Sequence, residues 1–150
     1  ERRKWSHPPG SIVKINFDGA YDGRHYQSAS GIVARNVEGI VLLSWSETHK
    51  EVASAFAAEA LACRDSLAII KKCQLKSQDR SQVGVYIHDI QQITARFNNI
   101  VFKYTLRSTN GLAHILAIES LKKSEEFYML KNVPGYAEKQ KKADWMRELD

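Results

Sequence analysis

Two carboxylates lie at positions where the sequence predicts that a ligand could reach them. Asp18 ends a predicted strand and is followed by Gly19 and Ala20, whose small size would let a ligand approach. Glu59 lies in the apolar stripe of a predicted helix, where an unpartnered carboxylate would be costly. Carboxylates that converge from a strand and a helix are what a hard cation such as Mg²⁺ requires. The alternatives are an Asp in a turn and a Glu at the stripe edge that reaches water.

The strands that would position Asp18 follow from alternation of apolar and polar side chains. Residues 11–18 alternate as a half-buried strand does, and residues 28–35 and 40–47 predict two more strands. Residues 19–27 are polar and predict a loop, and residues 36–39 predict a turn. The short connections make these three strands an antiparallel meander.

Steps of three and four residues between apolar side chains predict the helices. A first helix spans about residues 52–72, a second spans 83–97, and a third runs from Thr109 or Asn110 to about Lys122. The predicted buried face of the first helix consists of Val52, Phe56, Glu59, Cys63, Leu67 and Ile70. The alternating segment from Phe102 to Arg107 predicts a fourth strand, and the polar stretch between the first two helices is either a short strand or a loop. The order predicts an α/β or α+β layer fold with helices packed on a mixed central sheet, and we expect the α/β class.

Composition limits the function classes. The chain has 150 residues, 43% of them hydrophobic, and a net charge of +5, which fits one domain and is compatible with a nucleic-acid partner. Two cysteines are too few for a disulfide framework, and no apolar stretch reaches the roughly 18 residues that would span a membrane. We expect a lead-in at 1–10, a domain at 11–122 and a C-terminal tail at 123–150. The expected location is intracellular: nucleus, cytoplasm or, after removal of a targeting segment, an organelle.

Four motifs along the chain occur in an order that resembles a known family. They are Trp5-x-x-Pro8-Pro9, Lys14-Ile-Asn-Phe-Asp18-Gly-Ala20, Ala58-Glu59-Ala60 and Arg107-x-x-Asn110-x-x-Ala113-His114-x-Leu116-Ala117. They look like the ribonuclease H-like domains of plant reverse-transcriptase-type proteins, over roughly residues 5–120. The resemblance implies a ribonuclease H-like fold with a five-stranded mixed sheet whose first three strands are antiparallel. It also implies two Mg²⁺ ions that activate a water against the RNA strand of an RNA–DNA hybrid.

The resemblance implies four positions for the metal site. Asp18 is the first and Glu59 the second. Asp79 is the only candidate for the third, in a middle segment that is shorter than in the family, and the alternative is a loop Asp. His114 takes the fourth position, which holds Asp in some members and His in others; the alternative is a hydrogen-bonded helix histidine. Asp18, Glu59 and Asp79 would be the metal ligands, and all four the catalytic residues.

Cationic and amide side chains supply candidate contacts to a nucleic-acid backbone. The candidates are Lys14, Arg35, Lys103, Arg107 and Asn110. Three other histidines, His25, His49 and His88, show no metal-ligand spacing along the sequence.

Two functions fit these residues. Three carboxylates with the scissile phosphate could balance two Mg²⁺ ions, whereas two carboxylates could not. We therefore predict a degenerate nucleic-acid-binding domain with an incomplete metal site. Its partner would be RNA or RNA–DNA hybrid, with other proteins of a larger ribonucleoprotein assembly as further partners and no membrane. The alternative is an active endonuclease that uses Mg²⁺ to cleave the RNA strand of hybrids.

Overall fold

A five-stranded sheet forms the centre of the fold. A computed structural model describes residues 12–74, 99–101 and 110–147. The strands are β1 (Ile12–Asp22), β2 (Gln27–Arg35), β3 (Val41–His49), β4 (Asn99–Val101) and β5 (Phe127–Leu130). Their order in the sheet is β4-β1-β2-β3-β5. The β1–β2, β2–β3 and β3–β5 pairs are antiparallel and the β1–β4 pair is parallel, which confirms the predicted mixed sheet.

Within the described residues, three helices accompany the sheet. They are α1 (Ala55–Gln74), α2 (Gly111–Lys123) and α3 (Glu138–Arg147), and a short 3₁₀ turn (Gly135–Ala137) precedes α3. The Ser54 hydroxyl accepts a hydrogen bond from the Ala57 amide (3.0 Å) and so caps α1. The first and third predicted helices are therefore present. The predicted helix at 83–97 and the predicted strand at 102–107 lie outside the described residues. No helix among the described residues is long and apolar enough to cross a bilayer.

The first hairpin extends further than the sequence predicted. Residues 19–27 were expected to form a loop, but β1 continues to Asp22, which pairs with Gln27. Backbone pairing satisfies the amides of this polar segment, so polar side chains did not prevent a strand. The Tyr21 hydroxyl also donates to the Val52 carbonyl (2.9 Å). The turn is confined to the residues between the strands, where Tyr26 has a positive φ of 53°.

Two glycines allow helices to pack closely on opposite faces of the sheet. A Cβ atom on Gly19 would lie 2.5 Å from the Ala58 carbonyl oxygen in α1. A Cβ atom on Gly31 would lie 2.1 Å from the Ala113 carbonyl oxygen in α2. Gly31 pairs with Asp18, the neighbour of Gly19 in β1, and successive strand residues point to opposite faces. The sheet is thus a middle layer, with α1 on one face and α2 on the other.

The buried face of α1 differs from the predicted one. Ala58, Ala62 and Ser66 are buried, whereas Phe56 is 84% exposed and Leu67 is 49% exposed. The helix backbone lies so close to Gly19 that only small side chains fit between helix and sheet. The prediction selected the largest apolar side chains and was therefore wrong about which face packs on the sheet.

The segment at 123–150, expected as a tail, contributes to the sheet and to the packing around it. β5 pairs with β3 through residues 127–130. Arg35 in β2 is 1% exposed and pairs with Asp144 of α3 (Nη1 to Oδ2, 2.9 Å). Val133 and Ala137 join the hydrophobic cluster between the sheet and α2. The buried Arg35–Asp144 pair and the packing of Val133 and Ala137 hold α3 against the side of the sheet on which α2 lies.

Candidate nucleic-acid and metal site

An aspartate–histidine pair joins β1 to α2. The ring Nδ1 of His114 lies 2.5 Å from Oδ2 of Asp18. The Asp18 residue is 7% exposed, and the His114 side chain is 27% exposed. Gly31 lies directly opposite Asp18 in the sheet, and its missing side chain lets the first turn of α2 come close enough for His114 to reach the carboxylate. The structure thus brings the first and fourth predicted site residues together.

This pair has a defined chemical capacity. When Nδ1–H donates to the carboxylate, the neutral ring carries its lone pair on Nε2, which can take a proton or bind a metal. The other carboxylate oxygen of Asp18 can accept a second hydrogen bond or a cation. A histidine held in this way brings no negative charge of its own, unlike a second carboxylate.

Glu59 occupies a different setting from the one expected. It was predicted within a buried stripe, but its side chain is exposed, as in the alternative of a Glu that reaches water. Its backbone still lies beside β1, because a Cβ atom on Gly19 would be 3.1 Å from the Glu59 amide nitrogen. Asp18 faces α2 and Glu59 belongs to α1 on the other face. A shared cation therefore requires the Glu59 side chain to reach past the β1 backbone at Gly19.

Arg35 does not fit the predicted role as a phosphate contact. Its guanidinium is buried, bonded to Asp144 and to Oδ1 of Asn16 (2.9 Å). Burial lowers the pKa of Arg35, and the Asp144 carboxylate opposes that shift. The side chain holds β1, β2 and α3 together, so this prediction is corrected.

Asn110 also has a structural role. It was predicted to cap α2 or to donate to a phosphate. It does precede the helix, but its side chain makes no capping bond. Instead its Nδ2 donates to the Phe17 carbonyl (2.7 Å), and the residue is 7% exposed. This bond ties the start of α2 to the residue before Asp18, so Asn110 positions the pair and is too buried to contact a phosphate.

The remaining predicted contacts are only partly within the described residues. Lys14 lies two and four residues before Asn16 and Asp18 in β1, hence on the same sheet face, and is half-buried. Asp79, Lys103 and Arg107 lie outside the described residues. Their roles stay predictions.

A groove lies at the far end of α2 from the Asp18–His114 pair. Its volume is about 610 Å³, and it is bounded by the β1–β2 turn and the C-terminal end of α2. The exposed cations Arg24 and Lys122 line it, together with His25, whose Nδ1 lies 2.7 Å from Asp22. Cations beside an open groove are suited to a phosphate backbone. Neither Arg24 nor Lys122 was among the nucleic-acid contacts predicted from the sequence.

A second cluster lies on the α1 face of the sheet. Glu47 and His49 from β3 and Asp65 from α1 place their potential ligand atoms within 4.8 Å of one another. His49 Nε2 lies 2.7 Å from Asp65 Oδ2, to which the Ser30 hydroxyl also donates (2.6 Å). The sequence carried no spacing signal for this cluster, because strand pairing and helix packing bring its members together.

Comparison with known proteins agrees with this architecture. A family model described as reverse transcriptase-like matches residues 16–77 and 64–120. No curated protein sequence matches the chain. LC11-RNase H1, isolated from compost by a metagenomic approach, aligns with a TM-score of 0.50 at 20% identity, over 77% of this chain and 99% of that chain.

Two further solved structures are similar. The N-terminal RNase H domain of a Mycobacterium tuberculosis protein, solved as a fusion with maltose-binding protein, aligns at 15% identity and TM-score 0.45, over 77% of this chain and 96% of that chain. RNase H1 of the halophilic archaeon Halobacterium salinarum aligns at 20% identity and TM-score 0.44, over 75% and 98%. The predicted ribonuclease H-like fold is confirmed, while the plant origin and the shortened middle segment stay predictions. The chain belongs to the reverse transcriptase-like family.

Proposed function

We propose that the chain is a ribonuclease H-like domain that binds RNA or RNA–DNA hybrid and cleaves it weakly or not at all. The observation that carries the proposal is the Asp18–His114 pair. The two candidate site residues that the structure joins supply only one carboxylate between them. A site for two Mg²⁺ ions needs more negative charge than this.

The remaining charge would have to come from two other positions. Glu59 is exposed and belongs to the helix on the opposite face of the sheet. Asp79 was predicted from the sequence as the third ligand. The oxygen donors of Asp18 and Glu59 suit Mg²⁺, so these two residues, with Asp79, would hold the ion. Bound Mg²⁺ would supply charge neutralisation at a phosphate and activation of a water.

Binding to the backbone does not depend on a complete metal site. The net charge of the chain is +5, and Arg24 and Lys122 line an open groove on the side of the sheet that α2 covers. Phosphate contacts by such cations are independent of sequence and are weakened by salt. A domain of this kind would serve as a backbone-binding module, including inside a larger ribonucleoprotein assembly.

The alternative function is a Mg²⁺-dependent endonuclease that cleaves the RNA strand of hybrids. The observation in its favour is the geometry of His114. Its hydrogen bond to Asp18 would leave Nε2 able to accept a proton or ligate a metal. This alternative requires Asp79 and Glu59 to complete the ligand set.

One experiment separates the two functions. The purified chain is incubated with an RNA–DNA hybrid carrying a label on the RNA strand, in Mg²⁺, and both binding and cleavage are measured. The test variant is Asp18→Asn. The matched control is Asp22→Asn, in the same strand, whose exposed partner is His25.

We expect binding by all three proteins and little or no cleavage by any of them. Cleavage by the unchanged chain and by Asp22→Asn, but not by Asp18→Asn, would establish the endonuclease instead. Failure of the chain to bind RNA or hybrid at low salt would overturn the proposal.

A further inference from the structure

Three side chains from two elements converge on the α1 face of the sheet. Glu47 and His49 project from β3 on the same face, since they are two residues apart. Asp65 reaches them from α1 and is 4% exposed. One ligand atom from each lies within 4.8 Å of the other two. An imidazole and two carboxylates form a mixed nitrogen and oxygen donor set.

A buried hydroxyl on the same side of the sheet as the cluster has no hydrogen-bond partner in the part of the chain that the structure describes. Ser28 pairs with His49 across β2 and β3, as Ser30 pairs with Glu47. Directly opposed strand residues face the same way, so Ser28 and Ser30 point to the side where the cluster lies. Ser30 donates to Asp65, but the buried Ser28 Oγ has no hydrogen-bond partner among the described residues, and Ser28 is 1% exposed. Such a hydroxyl can hydrogen-bond a water on a bound ion.

The cluster concentrates negative charge. The potential ligand atoms of the Glu47 and Asp65 carboxylates lie within 4.8 Å of each other, and like charges at this distance repel each other. A cation between the carboxylates would relieve this repulsion.

We propose that Glu47, His49 and Asp65 form a binding site for one divalent transition-metal ion, of which Zn²⁺ is the best fit. The site is distinct from Asp18 and His114, which lie on the other face of the sheet. Its ligands come from β3 and from the middle of α1, so a bound ion would fasten α1 to the sheet.

The donor set selects the class of ion. Zn²⁺ accepts histidine nitrogen and carboxylate oxygen at about 2.0–2.2 Å and takes three protein ligands with a water in the fourth position. Mg²⁺ prefers oxygen donors and octahedral geometry, so a histidine in the set disfavours it. His49 Nε2 and Asp65 Oδ2 are 2.7 Å apart and need to separate by only about 0.6 Å to share a tetrahedral ion.

The test is a calorimetric titration of the chelator-treated chain with Zn²⁺, repeated with Mg²⁺. The background is Asp18→Asn, so that metal at the Asp18–His114 pair is not counted. Glu47→Gln and His49→Gln remove one ligand each. The matched control is His25→Gln, which disrupts the exposed Asp22–His25 pair; no third ligand joins that pair among the residues that the structure describes.

We expect one Zn²⁺ per chain, with affinity lowered at least about tenfold by Glu47→Gln and by His49→Gln and unchanged within about twofold by His25→Gln. Zn²⁺ should raise the melting temperature of the background protein, and this rise should disappear in Glu47→Gln. Circular dichroism confirms that each variant is folded; Glu47 is half-buried, so its variant should retain the fold. Absence of Zn²⁺ binding, equal affinity in Glu47→Gln, or Mg²⁺ binding as tight as Zn²⁺ binding would overturn the proposal.

Discussion

Two aspartate–histidine pairs lie on opposite faces of one sheet, and they differ in what surrounds them. Asp18 and His114 join β1 to α2, with His114 partly open to solvent. Asp65 and His49 join α1 to β3, where Ser30 and Glu47 complete a polar cluster. The same two residue types therefore form a partly exposed pair on one face and a hydrogen-bonded network on the other. What each pair can do chemically therefore depends on the side chains around it as much as on the aspartate and the histidine themselves.

The two faces share a positioning device. Gly31 admits α2 and Gly19 admits α1, each by letting helix backbone contact the strand. Gly19 follows Asp18 in β1 and Gly31 is the partner of Asp18 in β2, so both helices pack on the same part of β1 and β2. The positions of His114 and Glu59 follow from these two contacts.

The largest effect on stability is expected when a side chain is added at Gly31, where the backbones of β2 and α2 are in contact. Gly31→Ala places a methyl group 2.1 Å from the Ala113 carbonyl oxygen, and because backbone cannot yield as a flexible side chain does, α2 must move. We expect the free energy of unfolding to fall by about 3 kcal/mol, measured by denaturant titration. Gly135→Ala is the control, since nothing lies within 4 Å of its added Cβ. Equal stability of the two variants would contradict the close packing of α2.

The second-largest effect on stability is expected at the buried Asp65–His49 pair on the α1 face. Asp65→Asn removes the charge that His49 and Ser30 contact, and we expect a loss of about 1–3 kcal/mol in the free energy of unfolding. Asp22→Asn alters an exposed pair with His25 and should cost much less than Asp65→Asn, because solvent screens the exposed pair. A loss as small for Asp65 as for Asp22 would mean that the α1 network contributes nothing beyond a surface pair.

The smallest effect is a pH dependence. Burial raises the pKa of Glu47 above its ordinary 4.5, so the unfolded chain loses this proton first as the pH rises. The folded state loses stability between the ordinary and the raised pKa and does not regain it at higher pH. Glu47→Gln should therefore raise the melting temperature at pH 7 without metal and leave it unchanged below about pH 4. A matching rise at both pH values would show that the ionisation of Glu47 is not responsible.

The sequence predicted the elements better than the contacts between them. The meander and α2 followed from alternation and helical periodicity, because their apolar side chains face the core. Periodicity failed for α1, since Ala58 and Ala62 make the contact that Phe56 and Leu67 were expected to make. Small residues carry little hydrophobic signal, and the reason for their burial is a glycine distant in sequence.

The site residues show the same difference between what a local sequence pattern predicts and what only the tertiary fold brings together. Asp18 and His114 were identified through motifs that resemble a family, and the structure joins them. Arg35 was predicted to contact nucleic acid, because its strand pattern could not show that Asp144, over a hundred residues later, would pair with it. His49 and Asp65 meet only through the fold, so no local spacing indicated their contact.

The central claim is that this domain binds a nucleic-acid backbone. Its most direct test is the affinity of the chain for RNA–DNA hybrid measured over a range of salt concentrations. Each neutralised phosphate releases counterions, so the log–log slope counts the cations in contact. Contact with about three to five phosphates predicts a slope of about −2 to −4.

Variants assign that slope to particular cations. Lys103→Ala combined with Arg107→Ala should flatten it, whereas Lys139→Ala, on the exposed side of α3, should leave it unchanged. Asp18→Asn should leave the affinity for nucleic acid unchanged or raise it, because it removes a negative charge that would face the nucleic-acid backbone. We predict a steep salt dependence that Lys103 and Arg107 control; binding that is absent, or unaffected by salt, would contradict the proposed contact with a nucleic-acid backbone.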